Sequence, residues 1–408
     1  MNSLSTVIRG LRSDVFGRFE SGIWVITAIQ LFTSAGFSIC LPFLALYLYQ
    51  ERGLSMTLVG IMFLVAGLCS AATQMVGGML TDRIGRRRIL LGVTGISIVM
   101  YSGLAVSIGI SAPIWAIMVI YIAGRSILST IRPAIAAMVA DLSPKERLNE
   151  TYGLLRVGGN VGFAAGPALG GYLITFLPYA WLFGITTLTW VLAFCLILFL
   201  LKESFHGTTE RAGYSSMLSV INDRKFLMFT GLSLLVFLTM GQLGSTLSVF
   251  TVDRMGFSTA QFGLLLTING LIVVIFQYPV ARAVGRLSSA NGLILGALLY
   301  GLGYLAIGWV GNFNWMVAAI AVVTAGEIVF SPLTLSVVAD LAPEDRRGQY
   351  MGFIGLGQTL GISMGPLLGG VLLDAFPKDP PFIWGTICFV ALVAAAGFQR
   401  WGTIRHAR

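Results

Sequence analysis

The chain has 408 residues, 56% of them apolar and 11% charged, with a mean hydropathy of +0.86 and a formal net charge of +9. A soluble domain carries about 25% charged residues, so there is too little charge here to hydrate the surface of one. The basic residues sit in short loops between apolar runs rather than on one polar face, which argues against a nucleic-acid partner.

A helix needs about 20 apolar residues to cross the hydrocarbon layer. After Met1–Gly22, polar and basic without the apolar core of a leader, the sequence predicts helices over 21–49, 54–80, 87–110, 113–139, 149–176 and 179–202. A stretch rich in Gly, Ser, Thr and charge follows, and then helices over 224–252, 257–283, 289–310, 313–339, 347–375 and 381–400. Two six-helix domains are expected at 1–202 and 224–408, with a cytoplasmic linker at 203–223. Arg83, Arg86, Arg87, Arg88, Arg147, Lys202, Arg224, Lys225, Arg346, Arg347 and Arg400 fall on one side of these helices, and Arg52, Arg254 and Lys378 on the other. That bias puts the basic side and both termini in the cytoplasm of a prokaryotic cell, with the chain in its inner membrane. Cys40, Cys69, Cys195 and Cys388 lie in apolar segments at unrelated spacings and read as packing residues; no metal and no cofactor is expected.

The two halves are copies. Val139–Arg147 (VADLSPKER) matches Val338–Arg346 (VADLAPEDR) at an offset of 199, held through GPALGG (Gly166–Gly171) and GPLLGG (Gly365–Gly370). Gly53, Ser55, Gly60, Gly67 and Gln74 match Gly256, Ser258, Gly263, Gly270 and Gln277 at an offset of 203. Two parallel repeats with a site between them is a transporter architecture.

Between the second and third helices runs GGMLTDRIGRRRIL, from Gly77 to Leu90. It resembles the loop signature of the major facilitator superfamily, G-x-L-x-D-R-x-G-R-[RK], with Gly78, Leu80, Asp82, Arg83, Gly85, Arg86 and Arg87 in its positions. The resemblance implies an all-α membrane fold of twelve helices in two pseudo-symmetric bundles. It also implies a cytoplasmic latch in which Asp82 faces the start of the eleventh helix and Arg86 reaches towards Asp141. Arg88 reads as a topology signal alone. The second half keeps only Gly285 and Arg286 of this signature, in ARAVGRL, and lacks the acid.

Gly158, Gly162, Gly166 and Gly170 recur at steps of four in the fifth helix, as do Gly357, Gly361, Gly365 and Gly369 in the eleventh. Each set lies along one helix face and permits close approach of another backbone. Pro167 and Pro366 each remove one helical hydrogen bond. The first copy resembles the fifth-helix signature of the family's drug exporters, G-x-x-x-G-P-x-x-G-G, associated there with antiport. Both ladders are expected where the two halves meet.

An ionisable group inside the membrane costs roughly 2.5–3.5 kcal/mol or more and normally faces a cavity or a partner. Arg125 and Arg132 lie seven residues apart on one face of the fourth helix, and Glu327 is the carboxylate at the middle of the tenth. At offset 199 these two helices are repeat partners. Arg125 resembles the fourth-helix arginine of family exporters that couple to protons, although Ser129 replaces the glycine of the usual R-x-x-Q-G context. GEIVFSP, from Gly326 to Pro332, resembles the tenth helix of a multidrug exporter in the family. Gln30, Asn160, Gln242, Asn269, Gln277 and Gln358 are further candidates to line a cavity, each equally able to serve as a hydrogen bond between helices.

No GKS or GKT triplet is present, so no P-loop can form, and GxSxG and HExxH are absent. The reading is therefore a non-enzymatic monomeric secondary transporter with protons, a small-molecule substrate and membrane lipid as partners. Export of amphipathic or cationic compounds is favoured. The alternative is an anionic metabolite, a sugar or a lipid, since Arg125 and Arg132 could bind an anion directly.

Overall fold

The structure, a computed structural model, describes residues 19–144, 147–204, 219–285, 287–343 and 346–406. Most of the expected linker, Arg286 and the side chain of Asp82 lie outside the described residues, and with them the expected contact of Asp82 with the eleventh helix.

Twelve helices run through the described residues: α1 (Ser21–Glu51), α2 (Met56–Ile84), α3 (Arg86–Gly109), α4 (Ile114–Leu142), α5 (Leu148–Ile174), α6 (Tyr179–Leu200), α7 (Arg224–Arg254), α8 (Thr259–Val284), α9 (Ser289–Ile307), α10 (Phe313–Leu341), α11 (Arg347–Ala375) and α12 (Pro380–His406). Eleven of them are long and apolar enough to cross a membrane. The exception, α5, is diluted by its glycines and by Arg156 and Asn160. In the first bundle α1 packs on α5 and α6, and α3 on α4 and α6; in the second α7 packs on α11 and α12, and α9 on α10 and α12.

The sequence repeat reappears as repeated local geometry. Both α1 and α7 end in a π-turn, Tyr47–Glu51 and Phe250–Arg254. Each is followed by a glycine in the left-handed region, Gly53 at φ 65° and Gly256 at φ 71°, where a Cβ would be strained. Ser55 and Ser258 then cap α2 and α8, accepting from the amides of Leu58 and Gln261.

Two helices predicted as continuous are interrupted. Pro133 cannot donate to Ser129 and its ring crowds that carbonyl, and α4 breaks into turn geometry at Ser129–Thr130. The repeat partner Pro332 leaves α10 unbroken. There the freed carbonyl, that of Ile328, accepts from Gln277 Nε2 at 3.3 Å. The other break is in α7, over Gly241–Ser245, where Gly241 sits against the Ile362 backbone of α11. At the C-terminal end α12 continues past the predicted 400 to His406.

The glycine ladders do not lie between the halves, contrary to the sequence expectation. Gly158, Gly162, Gly166 and Gly170 face Thr27, Leu31, Ala35, Ser38, Ile39 and Phe43 of α1, in their own half. Likewise Gly357, Gly361, Gly365 and Gly369 face α7, from Thr230 to Thr246. Spacing of four defines a face but not the neighbour that it meets. The contact between halves uses the next glycine round each helix. Gly171 meets Thr259 and Gly370 meets Met56, while Gly263 meets the Pro167 carbonyl and Gly60 the backbone of Pro366 and Leu367. Pro167 and Pro366 thus do reach the opposite half, through their carbonyls.

These contacts form two seams, α2 on α11 and α5 on α8. They extend as far as Gly67 against Ser363 and Gly270 against Ala164. Hydrogen bonds from Met56 and Thr57 to Asp374, from Arg254 to Tyr49, from Thr259 to Gly171 and from Thr267 to Ala164 join the halves on this side, which bears the α1–α2 and α7–α8 connections. Towards the other end α2 turns to its own half: Gly77 meets Thr130 and Gly78 faces Pro133, both of α4. Among the described residues the halves are therefore sealed at one end and parted beyond mid-span.

Candidate functional site: a central cationic cavity and a half-buried carboxyl

A cavity of about 260 Å³ lies between the halves beneath the seams. Its walls come from α1, α2, α4, α5, α6 and α11, and carry Arg125 and Arg132 with Gln30, Ser34, Gln74, Gln358, Thr359 and Ser363. Phe37, Phe163, Trp190 and Ile362 supply apolar surface. Among the described residues no carboxylate lies on these walls.

The backbone of α4 fixes where Arg125 points. Gly124 backs onto Met100 of α3, where an added Cβ would lie 3.1 Å from the side chain. On another side the Ser126 carbonyl accepts from Thr73 of α2 at 2.6 Å, and the Arg125 carbonyl from Ser70 at 3.2 Å. The Arg125 guanidinium then lies over Phe37 of α1, 4.8 Å from the ring centre, with the buried Tyr121 one turn back on the same helix. Arg132, beyond the break in α4, is exposed to the cavity and near enough to Arg125 for the two charges to repel. Two guanidiniums that share one cavity without an acid among the described lining residues give it a positive charge, chemistry that can hold an anionic group.

Glu327 is held elsewhere. Gly326 packs on α9, where a Cβ would sit 2.8 Å from the Tyr300 nitrogen and 2.9 Å from the Gly296 carbonyl. One residue further round the helix, Glu327 turns to α8, and its Oε2 accepts from Asn269 Nδ2 at 3.3 Å. The same amide donates to Thr324 Oγ1 at 2.8 Å. Tyr300 and Tyr304, both buried, lie within reach of the carboxylate's charge. The structure does not bring Glu327 to Arg125: one turns to α8 of its own half, the other forms part of the first half's wall of the cavity.

The polar candidates divide accordingly. Gln30 and Gln358 line the cavity. Asn269 orients Glu327, and Gln277 satisfies the Ile328 carbonyl. Gln242 is fully buried; it donates to the Gly365 carbonyl at 2.9 Å and accepts from Thr246 at 2.6 Å, so it ties α7 to α11 and is not a cavity group. Asn160 is exposed one turn from Ala164, on the face of α5 that approaches α8.

At the parted end Arg86 Nε lies 3.0 Å from Asp141 Oδ2, inside the first half. Ser204 donates to the same oxygen at 2.8 Å. Sequence reasoning missed Glu203, whose Oε1 accepts from the amides of Arg86 and Arg87 at 3.0 and 3.2 Å. The signal was local: Gly85, at φ 107°, gives α3 no side-chain cap, so its first amides need an acceptor from elsewhere.

The sequence profile of the Major Facilitator Superfamily matches residues 26–272 and 231–402. The chain belongs to this superfamily. It is a multi-pass membrane protein with the superfamily's transporter fold. It is 27% identical over 371 residues to the Na(+), Li(+), K(+)/H(+) antiporter of Planococcus maritimus, covering 83% of this chain and 86% of that protein. The uncharacterized MFS-type transporter YttB of Bacillus subtilis is 25% identical over 346 residues, covering 84% and 85%. The quinolone resistance protein NorA of Staphylococcus aureus is 23% identical over 353 residues, covering 85% and 89%. In fold, the chain matches a POT family transporter crystallised with 5-aminolevulinic acid at a TM-score of 0.80, with 16% identity over 94% of this chain and 96% of that one.

Proposed function

We propose that this superfamily transporter works by alternating access as a monomer of the prokaryotic inner membrane, exchanging protons for an amphipathic small molecule that it exports. The observation that carries this is the pair of seams that seals one end above a central cavity while the other end is parted. The basic loops lie at the parted end, which the positive-inside rule assigns to the cytoplasm, so this is an inward-open arrangement. Glu327 is the proton site, oriented by Asn269. The similarity to a cation/proton antiporter and to a quinolone resistance protein supports exchange and export.

A second reading, favoured by the cavity itself, concerns the charge of the cargo. Arg125 and Arg132 line the cavity and no acid does, so it suits a substrate with an anionic group on an apolar body better than a bare cation. In this reading Glu327 carries the proton without touching the substrate.

Both readings are tested by counterflow in proteoliposomes with a labelled lipophilic cation and a labelled organic anion, with and without a pH gradient. Gradient-driven accumulation of one probe is expected, and Glu327→Gln should abolish it while leaving downhill exchange. The probe that accumulates identifies the cargo's charge. No accumulation of either probe by the wild type under a gradient counts against proton coupling.

A further inference from the structure

The α2–α11 seam contains a carboxylate that nothing in the sequence patterns marks. Asp374 lies in the last turn of α11, in the second half. Its Oδ1 accepts from the Met56 amide at 3.1 Å. Its Oδ2 accepts from the Thr57 amide at 2.7 Å and from the Thr57 hydroxyl at 2.6 Å. All three donors belong to the first turn of α2, in the first half. With Ser55 on the Leu58 amide, this accounts for the amides of Met56, Thr57 and Leu58, two of them through the opposite half. A helix N-terminus carries partial positive charge, and hydrogen bonds to an ionised acceptor are stronger than neutral ones.

The contact occurs once, not twice. At the repeat offset the counterpart of Asp374 is Thr175, whose hydroxyl donates to the Tyr172 carbonyl in its own helix. Across the α5–α8 seam the bonds are neutral, Thr259 to the Gly171 carbonyl at 3.0 Å and Thr267 to the Ala164 carbonyl at 2.7 Å. Parting the halves at this end must break all three hydrogen bonds and leave the Met56 and Thr57 amides without their acceptor. Asp374 is also far from the cavity walls and touches no group that lines them.

We propose that Asp374 is a gating residue: its carboxylate clasps the N-terminus of α2 and sets how often this end opens, without contacting substrate. This rests on the alternating-access reading, and the test separates the two.

In a background lacking Cys40, Cys69, Cys195 and Cys388, spin labels are placed at Gln50 and Lys378, exposed positions on opposite halves at this end. Distance distributions are then compared for wild type, Asp374→Ala, Asp374→Asn and Thr57→Val, with gel filtration confirming a folded protein. Loss of the charged acceptor in Asp374→Ala should raise the ratio of long to short distances about tenfold, the equivalent of about 1.4 kcal/mol. Asp374→Asn should shift it less, and Thr57→Val, which removes only the hydroxyl bond, least but in the same direction. Substrate-probe affinity should stay that of the wild type when measured with the protein locked open at the other end. Unchanged distances in folded Asp374→Ala overturn the proposal. If that variant does not fold, unchanged distances in both Asp374→Asn and Thr57→Val overturn it equally. A wild type whose distances respond to neither pH nor probe would overturn alternating access itself, and the gate with it.

Discussion

Gly166→Ala and Gly263→Ala add the same methyl group to two tight helix contacts and should have opposite consequences. At Gly166 the new Cβ would meet α1, with the Ala35 carbonyl at 2.8 Å and the Ile39 nitrogen at 2.9 Å. These are backbone atoms, so the helices themselves must separate. Overpacking of this kind costs about 1–3 kcal/mol. Because α1 and α5 belong to one half, the penalty is present in every conformation and appears as lost stability. At Gly263 the Cβ would meet the Pro167 carbonyl carbon at 2.9 Å and Gly171 Cα at 3.3 Å, both in the opposite half. That clash exists only while this end is closed. The same energy then becomes a shift of about 5–150-fold toward the state open at this end. Thermal unfolding followed by tryptophan fluorescence, together with spin-label distances across the closed end, distinguishes the two. Gly166→Ala should lower the melting temperature with little change in distance, and Gly263→Ala should lengthen the distance with little change in melting. The reverse pattern, or distance changes in both, would refute the assignment of the ladders to the interior of each half.

Other expectations follow from particular contacts. Arg125→Lys should bind an anionic probe more weakly than wild type, because an ammonium cannot reproduce the planar contact with Phe37; isothermal titration checks this. Asn269→Ala removes the donor that orients the Glu327 carboxyl, a hydrogen bond worth about 0.5–1.5 kcal/mol, and should weaken pH-gradient-driven uptake while downhill counterflow persists. Gln277→Ala leaves the Ile328 carbonyl without its donor and should destabilise the second half by about 1–3 kcal/mol in denaturation; Gln277→Glu, which has no amide donor when ionised, should not rescue it.

Much of the fold was legible because the sequence repeats in register. Gly53 and Gly256, picked out only as matching residues, proved to be the two left-handed glycines that follow matching π-turns, and Ser55 and Ser258 proved to be the caps. What spacing could not convey was which neighbour each face meets. Gly166 and Gly171 stand five residues apart in one motif, yet the first faces α1 and the second faces the other half. Nor could the shared proline of α4 and α10 reveal that one helix breaks and the other does not; the donor that satisfies the freed carbonyl of α10 comes from α8, 51 residues away. The helices that carry Arg125 and Glu327 are repeat partners, but pseudo-symmetry sets matching helices on opposite sides of the axis, each packed on its own half. Asp374 stayed unseen because its partners are 317 and 318 residues away.

The claim on which the whole account depends is that the two ends open in alternation. Two label pairs on the same protein test it, Gln50 with Lys378 at the sealed end and Arg83 with Arg282 at the parted end, recorded across pH and with each probe. With alternating ends the two distances change in opposite senses, one lengthening as the other shortens. Distances that lengthen together would instead describe a continuous pore, and would contradict it.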